Sequence, residues 1–347
     1  MTIINICSPS FDPADSYGRL ASELATHVSS QAYVNRFALD GSGHGVIHPA
    51  MGGILLGYPT LHQQFGGMVN AGPKIAITMF ESTKLPEGWA EALNACDAVI
   101  VPAFFLIDIF RRAGVTVPIH VVPLGISKEF MRYTPRVKKA DEPFTFLTIG
   151  DRGRRKGWME ACTAFVRAFG DDMNYRLIIK ARNPLPFGIT NPNIQVITGD
   201  MTNEELAELY TKAHVMAFPT HAEGYGLPPR EFVATGGLSL VTNWGGTAEG
   251  LPHWGIPIPA TMETAWLGEE KWYGRLGEWA CPDVDALANL MSHVVNHYDD
   301  YRAFRVSSAS YLWSHTWDVF SHRVFAIWRN VLEGRYGCNT NRNRQLA

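Results

Sequence analysis

The chain has 347 residues, 46% hydrophobic and 18% charged, with a formal net charge of −3. These values fit a globular enzyme with material for two cores, and they exclude a disordered or fibrous chain and any general attraction to nucleic acid or anionic membrane. Five cysteines, Cys7, Cys96, Cys162, Cys281 and Cys338, show no CxxC spacing, so they read as reduced thiols of a cytoplasmic protein and suggest no zinc site.

The opening MTIINICSP reads as a strand over 3–7, without the basic and apolar segments of a secretory leader, and no apolar run is long enough to span a bilayer. The loop SPSFDPADSYG leads to a helix over about 19–28, with Leu20, Leu24 and Val28 on one stripe. A glycine at a helix start behind a strand is a candidate phosphate contact, which singles out Tyr17 and Gly18; an ordinary β-α turn reads the same residues equally well. Gly41-Ser42-Gly43-His44-Gly45 lacks the GxGxxG spacing and does not sit between strand and helix, so it is no dinucleotide fingerprint. Runs 53–58 and 75–79 predict further strands, with a short helical turn around His62-Gln63-Gln64 between them. The run FESTKLPEGW (80–89) follows, then a helix through Trp89, Leu93 and Cys96, then a strand over 98–102. Phe104, Phe105, Leu106, Ile107, Ile109 and Phe110 crowd a short helix ending in Arg111-Arg112. Two arginines do not make the broad basic face of a membrane-surface helix, so this is a buried helix or a protein interface. The charged, proline-bearing segment SKEFMRYTPRVKKADEP (127–143) has the composition of a linker.

A strand over 144–149 opens the second half, followed by GDRGRRKG. Arg152, Arg154, Arg155 and Lys156 on this glycine-rich loop are poised for phosphate oxygens, arginine as a fork and lysine as a point charge; a solvated basic loop is the plain alternative. The helix MEACTAFVRAF, strands over 176–180 and 194–198 and a helix over 204–213 lead to an apolar strand, Val215 to Phe218, closed by Pro219. The loop Thr220-His221-Ala222-Glu223-Gly224-Tyr225-Gly226-Leu227 runs into a helix opened by Pro228-Pro229, which carries Glu231 and stops at Gly236-Gly237. A strand over 238–242 and a second glycine loop, Asn243-Trp244-Gly245-Gly246-Thr247, complete the stretch. A helix N-terminus favours a diphosphate, and Gly224 and Gly226 let backbone approach it closely. Glu223 and Glu231, eight apart, can face one cleft and accept from vicinal hydroxyls. Together these features describe a nucleotide-sugar site. Beyond lie Trp254, Trp266, Trp272 and Trp279. Asp283-Val284-Asp285 mimics a DxD metal motif but precedes an amphipathic helix, so N-capping is the plainer account and no catalytic metal is expected. A last helix over 317–332 is expected to cross back to the first domain, and the tail CNTNRNRQLA to be mobile.

EGYGLPPREFVATGG (223–237) resembles the EGFGLPxxEAMAxG signature of the GT4-type retaining glycosyltransferases, and the F-E-S-x-x-L-P-x-x-W run resembles a subgroup often found in phages and bacteria. Run 115–124, ending in Pro123-Leu124-Gly125, is similar to that family's last first-domain strand; the resemblance covers most of 75–335. It implies the α/β GT-B fold, two Rossmann-like parallel-sheet domains facing across a cleft. The first, acceptor-side domain would span 1–126, the linker 127–143, the nucleotide-sugar domain 144–315, the crossing helix 316–335 and the tail 336–347. It also implies transfer of a sugar from a nucleoside diphosphate sugar to a hydroxyl with retained configuration, that donor being a co-substrate, with no cofactor and no metal. Glu223 would hold the sugar hydroxyls and Glu231 the ribose. Arg155-Lys156-Gly157 matches the family's Arg-Lys-Gly on the diphosphate, with Arg152 and Arg154 competing for the arginine's place. Tyr17 and Gly18 would face the donor phosphates, and His221, Gly224, Tyr225, Gly226 and Leu227 would line the donor. Many relatives carry a histidine where this chain has Phe80-Glu81, which makes Glu81 either the acceptor-side group or a capping or interdomain carboxylate. A glycan, small glycoside or protein hydroxyl leads as acceptor, and no stable membrane association is expected. A hydroxymethylated DNA base stays open because of the phage-like run and a cationic patch of Arg136, Lys138 and Lys139. A nucleotide-sugar-binding protein without transfer activity, or a sugar epimerase on the same fold, are the alternatives.

Overall fold

A computed structural model describes residues 2–13, 15–43, 52–66, 72–139, 141–150, 153–185, 188–268 and 273–334. Arg152, Trp272, Cys338 and the tail expected over 336–347 lie outside the described residues. The chain divides into two units, one of Met1–Met79, Glu87–Pro123 and Trp317–Ala347, the other of Phe80–Pro86 and Leu124–Thr316.

The first unit contains β1 (Ile3–Ser8), α1 (Ser16–Val28), β2 (Tyr33–Ala38), β3 (Gly53–Leu56), α2 (Pro59–Gly66), β4 (Lys74–Ile77), α3 (Trp89–Asn94), β5 (Ala98–Val101), α4 (Phe105–Arg112) and β6 (Ile119–Val121). The six strands form one parallel sheet in the order β2-β1-β3-β4-β5-β6. GILL and AVIV in β3 and β5 are apolar at nearly every position because helices cover both faces of a parallel sheet. On α4, Leu106, Ile109 and Phe110 are buried, as expected for a helix packed on its own domain.

The second unit contains β7 (Phe144–Ile149), α5 (Trp158–Phe169), β8 (Tyr175–Lys180), β9 (Ile194–Ile197), α6 (Asn203–Thr211), β10 (Val215–Phe218), α7 (Leu227–Ala234), β11 (Leu238–Thr242), β12 (Ile256–Ile258), β13 (Ala260–Trp266), β14 (Arg275–Pro282), α8 (Val284–Asn296) and α9 (Arg302–Leu312). Its main sheet is also parallel, ordered β12-β11-β10-β7-β8-β9, and β13 and β14 form a separate antiparallel hairpin. Alternate residues of each central strand feed two cores. Phe146, Leu177, Ala217 and Leu240 pack with Phe165 and Met291 on one face. Leu147, Met216 and Val241 pack with Phe130, Tyr210 and Phe232 on the other. The final helix, α10 (Trp317–Leu332), belongs to the first unit, where it packs against α1.

Segment 127–143 is bound to the second unit, with Phe130 fully buried. The cationic patch expected there is corrected by Arg136, which is only 6% exposed. Its guanidinium donates to Thr235 O at 2.8 Å, Tyr210 O at 2.9 Å and Thr235 Oγ1 at 2.7 Å, and it stacks on Phe232. With a further bond to Thr134 O at 3.2 Å, four carbonyl and hydroxyl acceptors compensate the buried charge, so this arginine is committed to the fold. Lys139 is held by Glu142 at 2.7 Å. The four described cysteines are free thiols, and among the described residues no helix is long and apolar enough to cross a membrane.

Candidate functional site

Counted from β7, the second sheet has the strand order 3-2-1-4-5-6, so the order reverses between β7 and β10, which pair directly. Open parallel sheets bind ligands beyond the carboxyl ends of the strands at that reversal. Two loops leave from it, residues 150–157 after β7 and 219–226 after β10, and they are the two that carry the basic cluster and Glu223.

The loops touch because Gly157 permits it. Gly157 has φ +68°, and a Cβ there would sit 1.8 Å from Pro219 O, so a side chain would push the loops apart. Three hydrogen bonds to main-chain oxygens fasten the contact: His221 N donates to Arg155 O at 2.7 Å, Thr220 Oγ1 to the same oxygen at 2.8 Å, and Arg155 Nη1 to Ala222 O at 2.7 Å. Arg154 to Lys156 form one tight turn before α5. Lys156 Nζ then lies 2.7 Å from Glu223 Oε1, and Arg155 Nη1 lies 3.4 Å from the same oxygen and 4.0 Å from Glu81 Oε1. Two cations and two carboxylates therefore share one largely buried cluster. Burial pushes the Glu223 carboxyl up, but Lys156 and Arg155 outweigh it and hold its pKa below the usual carboxylate value. Glu81 goes the other way: burial raises it, and the more distant Arg155 does not compensate. Burial also lowers the Lys156 ammonium, against the pull of Glu223.

Glu81 reaches the cluster through the hairpin. Thr83 N donates to Glu278 O at 3.0 Å, Glu278 N donates to Thr83 Oγ1 at 2.8 Å, and Ser82 Oγ donates to Leu276 O, so residues 82 and 83 lie along β14. Gly277, at φ +68°, leaves room for this strand of chain; a Cβ there would meet Ser82 Oγ at 2.5 Å. Phe80 packs edge-on against Tyr273. The FESTKLP run is therefore built to dock on the hairpin with Glu81 facing Arg155.

The two glycine loops of the second unit are stapled by Arg230, which the sequence reading passed over. Its guanidinium is buried between the rings of Tyr225 and Trp254, 4.1 Å and 4.3 Å away. It donates to Tyr225 O, to Gly226 O at 3.0 Å, to Gly246 O at 2.9 Å and to Glu249 O at 2.9 Å. Gly246 packs on the backbone of Gly224 and Tyr225, and its amide donates to Glu223 O at 2.9 Å. Leu227 is the first residue of α7, and Pro228 and Pro229 behind it have no N–H, so the first turn offers an anion fewer amides than an ordinary helix. Glu231, one turn into α7, is buried, with Tyr210 OH 3.4 Å from Oε2.

His221 is fully buried. Its Nε2 is 2.9 Å from Glu160 Oε1 and its Nδ1 is 3.1 Å from Glu263 Oε1, while its carbonyl accepts from Ala280 N at 3.0 Å. Glu263 Oε2 accepts from Arg154 at 3.0 Å and Oε1 from Trp279 Nε1 at 2.9 Å. Arg154 is thereby committed to the hairpin, and among the described residues Arg155 is the arginine facing Glu223. Glu160, Glu263 and Arg230 gave no signal in the sequence, because each is recruited by a distant segment. Tyr17 and Gly18 stand in the first turn of α1 in the other unit. The Gly18 amide is donated to Asp15 Oδ2 at 2.9 Å, and a Cβ on Gly18 would meet Asp12 O at 2.1 Å. Asp283 caps α8 through Ala286 N at 2.9 Å, and Asp285 pairs with Arg167.

No protein-family model and no curated protein matches the sequence. Solved structures do match. Sucrose-phosphate synthase from Thermosynechococcus elongatus aligns with a TM-score of 0.74 at 14% identity, over 96% of this chain and 100% of that one. HepE of Anabaena, solved in complex with UDP-glucose, aligns with a TM-score of 0.71 at 11% identity, over 95% and 100%. WaaG, a glycosyltransferase involved in lipopolysaccharide biosynthesis, gives 0.63 at 12% identity, over 95% and 100%. The fold of this chain is therefore GT-B, α/β with two parallel six-stranded sheets.

Proposed function

We propose that the chain is a retaining glycosyltransferase that moves a sugar from a nucleoside diphosphate sugar to a hydroxyl acceptor. The observation that carries this reading is the pairing of Glu223 with Lys156 and Arg155 at the carboxyl ends of β7 and β10. On arrival of the donor, its diphosphate takes over the two cations, which then stabilise the charge that develops on the departing diphosphate. Glu223, released from them, accepts hydrogen bonds from the sugar hydroxyls near the anomeric carbon, and Glu231 holds the ribose. The bond from the anomeric carbon to the diphosphate oxygen breaks, a bond to the acceptor oxygen forms on the same face, and the acceptor proton passes to a diphosphate oxygen. His221 supports the site from behind through its backbone amide on Arg155, and Glu81 accepts from the incoming hydroxyl. No metal is assigned to the diphosphate. Free cysteines are consistent with a cytoplasmic location.

UDP-glucose, which HepE binds, is the first donor to test. A glycan, small glycoside or protein hydroxyl remains the leading acceptor class, and burial of Arg136 weakens the case for a hydroxymethylated DNA base. A nucleotide-sugar-binding protein without transfer is the second reading, favoured by a carboxylate at Glu81 where many relatives of the resembling family have histidine. The test is nucleotide release from a panel of nucleotide sugars, without acceptor and then with glycans, glycosides and DNA containing 5-hydroxymethylcytosine. Acceptor-dependent release with an α-linked product from an α-linked donor supports the reading. Tight donor binding with no release under any condition gives the binding protein.

A further inference from the structure

We propose that His221, Glu263 and Cys281 form a binding site for one thiophilic divalent cation of the Zn²⁺ type, clamping the β13–β14 hairpin to the loop after β10. The three side chains are far apart in sequence and carry no CxxC-like spacing, so the composition gave no hint of them. The fold converges them. In the hairpin register, Thr261 opposes Cys281 and Glu263 opposes Trp279, which places Cys281 and Glu263 diagonally on one face. The loop after β10 brings His221 onto that face, fastened by Ala280 N to His221 O at 3.0 Å and by packing of the imidazole on Trp279. One ligand atom from each of the three residues lies within 4.8 Å of the others.

The state of the imidazole makes this more than proximity. His221 Nε2 meets Glu160 Oε1 at 2.9 Å, the arrangement by which a metal-binding histidine has its far nitrogen held by a carboxylate. With Nε2 donating to Glu160, Nδ1 is the nitrogen that carries the lone pair. Nδ1 is buried and makes no hydrogen bond, although Glu263 Oε1 stands 3.1 Å away: the two atoms converge without aligning on each other. Two ligands of one tetrahedral ion, each bonded at about 2.0–2.1 Å, stand roughly 3.3 Å apart in this way. Cys281 supplies a soft third ligand on binding, its thiol proton being released to solvent. Glu263 and Cys281 are half-buried, which leaves the fourth position to water. Glu263 is itself oriented by Arg154 and Trp279. The ion has a structural role and takes no step in the transfer chemistry.

Titration of the metal-free full-length protein with Co²⁺, read by thiolate-to-cobalt charge-transfer absorption in the near ultraviolet, tests the site without any variant. One equivalent should saturate the band. Cys281→Ser should abolish it, Cys162→Ser should keep it, and Glu160→Gln should keep it with affinity weakened roughly 10–100-fold. Absence of the band in the native protein, its survival in Cys281→Ser, or unchanged affinity in Glu160→Gln would each overturn the assignment.

Discussion

The ammonium of Lys156 and the carboxylate of Glu223 meet at 2.7 Å where the loops after β7 and β10 touch. Both are partly buried, and Arg155 Nη1, 3.4 Å from the same carboxylate oxygen, shares Glu223 with the lysine. In the proposed function an incoming diphosphate sugar would replace these pairs group for group, anion for anion at the cations and hydroxyls for cations at the carboxylate.

The two carboxylates of the cluster should respond oppositely to neutralisation. Glu81 has a raised folded pKa, so its contribution to stability is fully present below the unfolded value of about 4.3 and is lost as pH rises through the folded value. Glu223 has a lowered folded pKa, so its contribution is present above about 4.3 and is lost as pH falls through the folded value. At pH 7, Glu81→Gln should leave stability unchanged or improved, whereas Glu223→Gln should cost about 1–3 kcal/mol by depriving two partly buried cations of their shared carboxylate. Urea unfolding between pH 5 and 8 on the order of one unit steps checks this; a larger loss in Glu81→Gln than in Glu223→Gln would reverse the assignment.

The same carboxylates divide the kinetics. Glu223→Gln should lower transfer roughly a hundredfold, about 2.7 kcal/mol of transition-state stabilisation, with a smaller effect on donor affinity. Glu231→Gln should act mainly on the KM for the donor. Steady-state rates of the two variants measure the split, and identical behaviour would show that the roles are not divided.

Arg230 is expected to matter as much as any residue that meets the donor. A lysine cannot fork between Tyr225, Gly226, Gly246 and Glu249 carbonyls, so Arg230→Lys loses two or more charge-assisted bonds, worth about 2–4 kcal/mol together. The thermal midpoint should fall, and donor KM should rise because Glu223 and Gly246 share a backbone bond. A variant with native stability and native KM would contradict the staple.

This staple shows where sequence reading stops. The strands β7, β10 and β11 were legible because parallel strands are short apolar runs between glycine and proline loops, and the Glu223 loop was legible because its chemistry is contiguous. The hairpin was not: β13 and β14 read as a tryptophan-rich stretch, since much of their surface is polar and the partner of the buried Trp279 N–H, Glu263, lies on the other strand. Helix α9 escaped because it buries Arg305, Ser308 and Ala309 rather than an apolar stripe. β2 escaped as a polar edge strand, and the short β12 carries a proline at the sheet's edge. Arg136 misled for the converse reason: a basic residue in a charged segment looks exposed until its carbonyl partners are known.

Transfer should be indifferent to Mg²⁺ and Mn²⁺. The Asp283-x-Asp285 pair is engaged in capping α8 and in pairing with Arg167, and the cations facing Glu223 are side chains. Rates measured with each ion added to chelator-treated protein should agree within about twofold, on the order of 0.4 kcal/mol. Strict dependence on either ion would bring Asp283 and Asp285 back as its ligands.

The measurement that bears most directly on the central claim is calorimetric binding of UDP, GDP and ADP to the native protein and to Lys156→Met. At least one nucleoside diphosphate should bind the native protein, more weakly as salt rises, and Lys156→Met should weaken it by a factor of ten or more, about 1.4 kcal/mol. Equal affinity for that nucleotide in both proteins, with Lys156→Met folded, would place the diphosphate elsewhere and contradict the account.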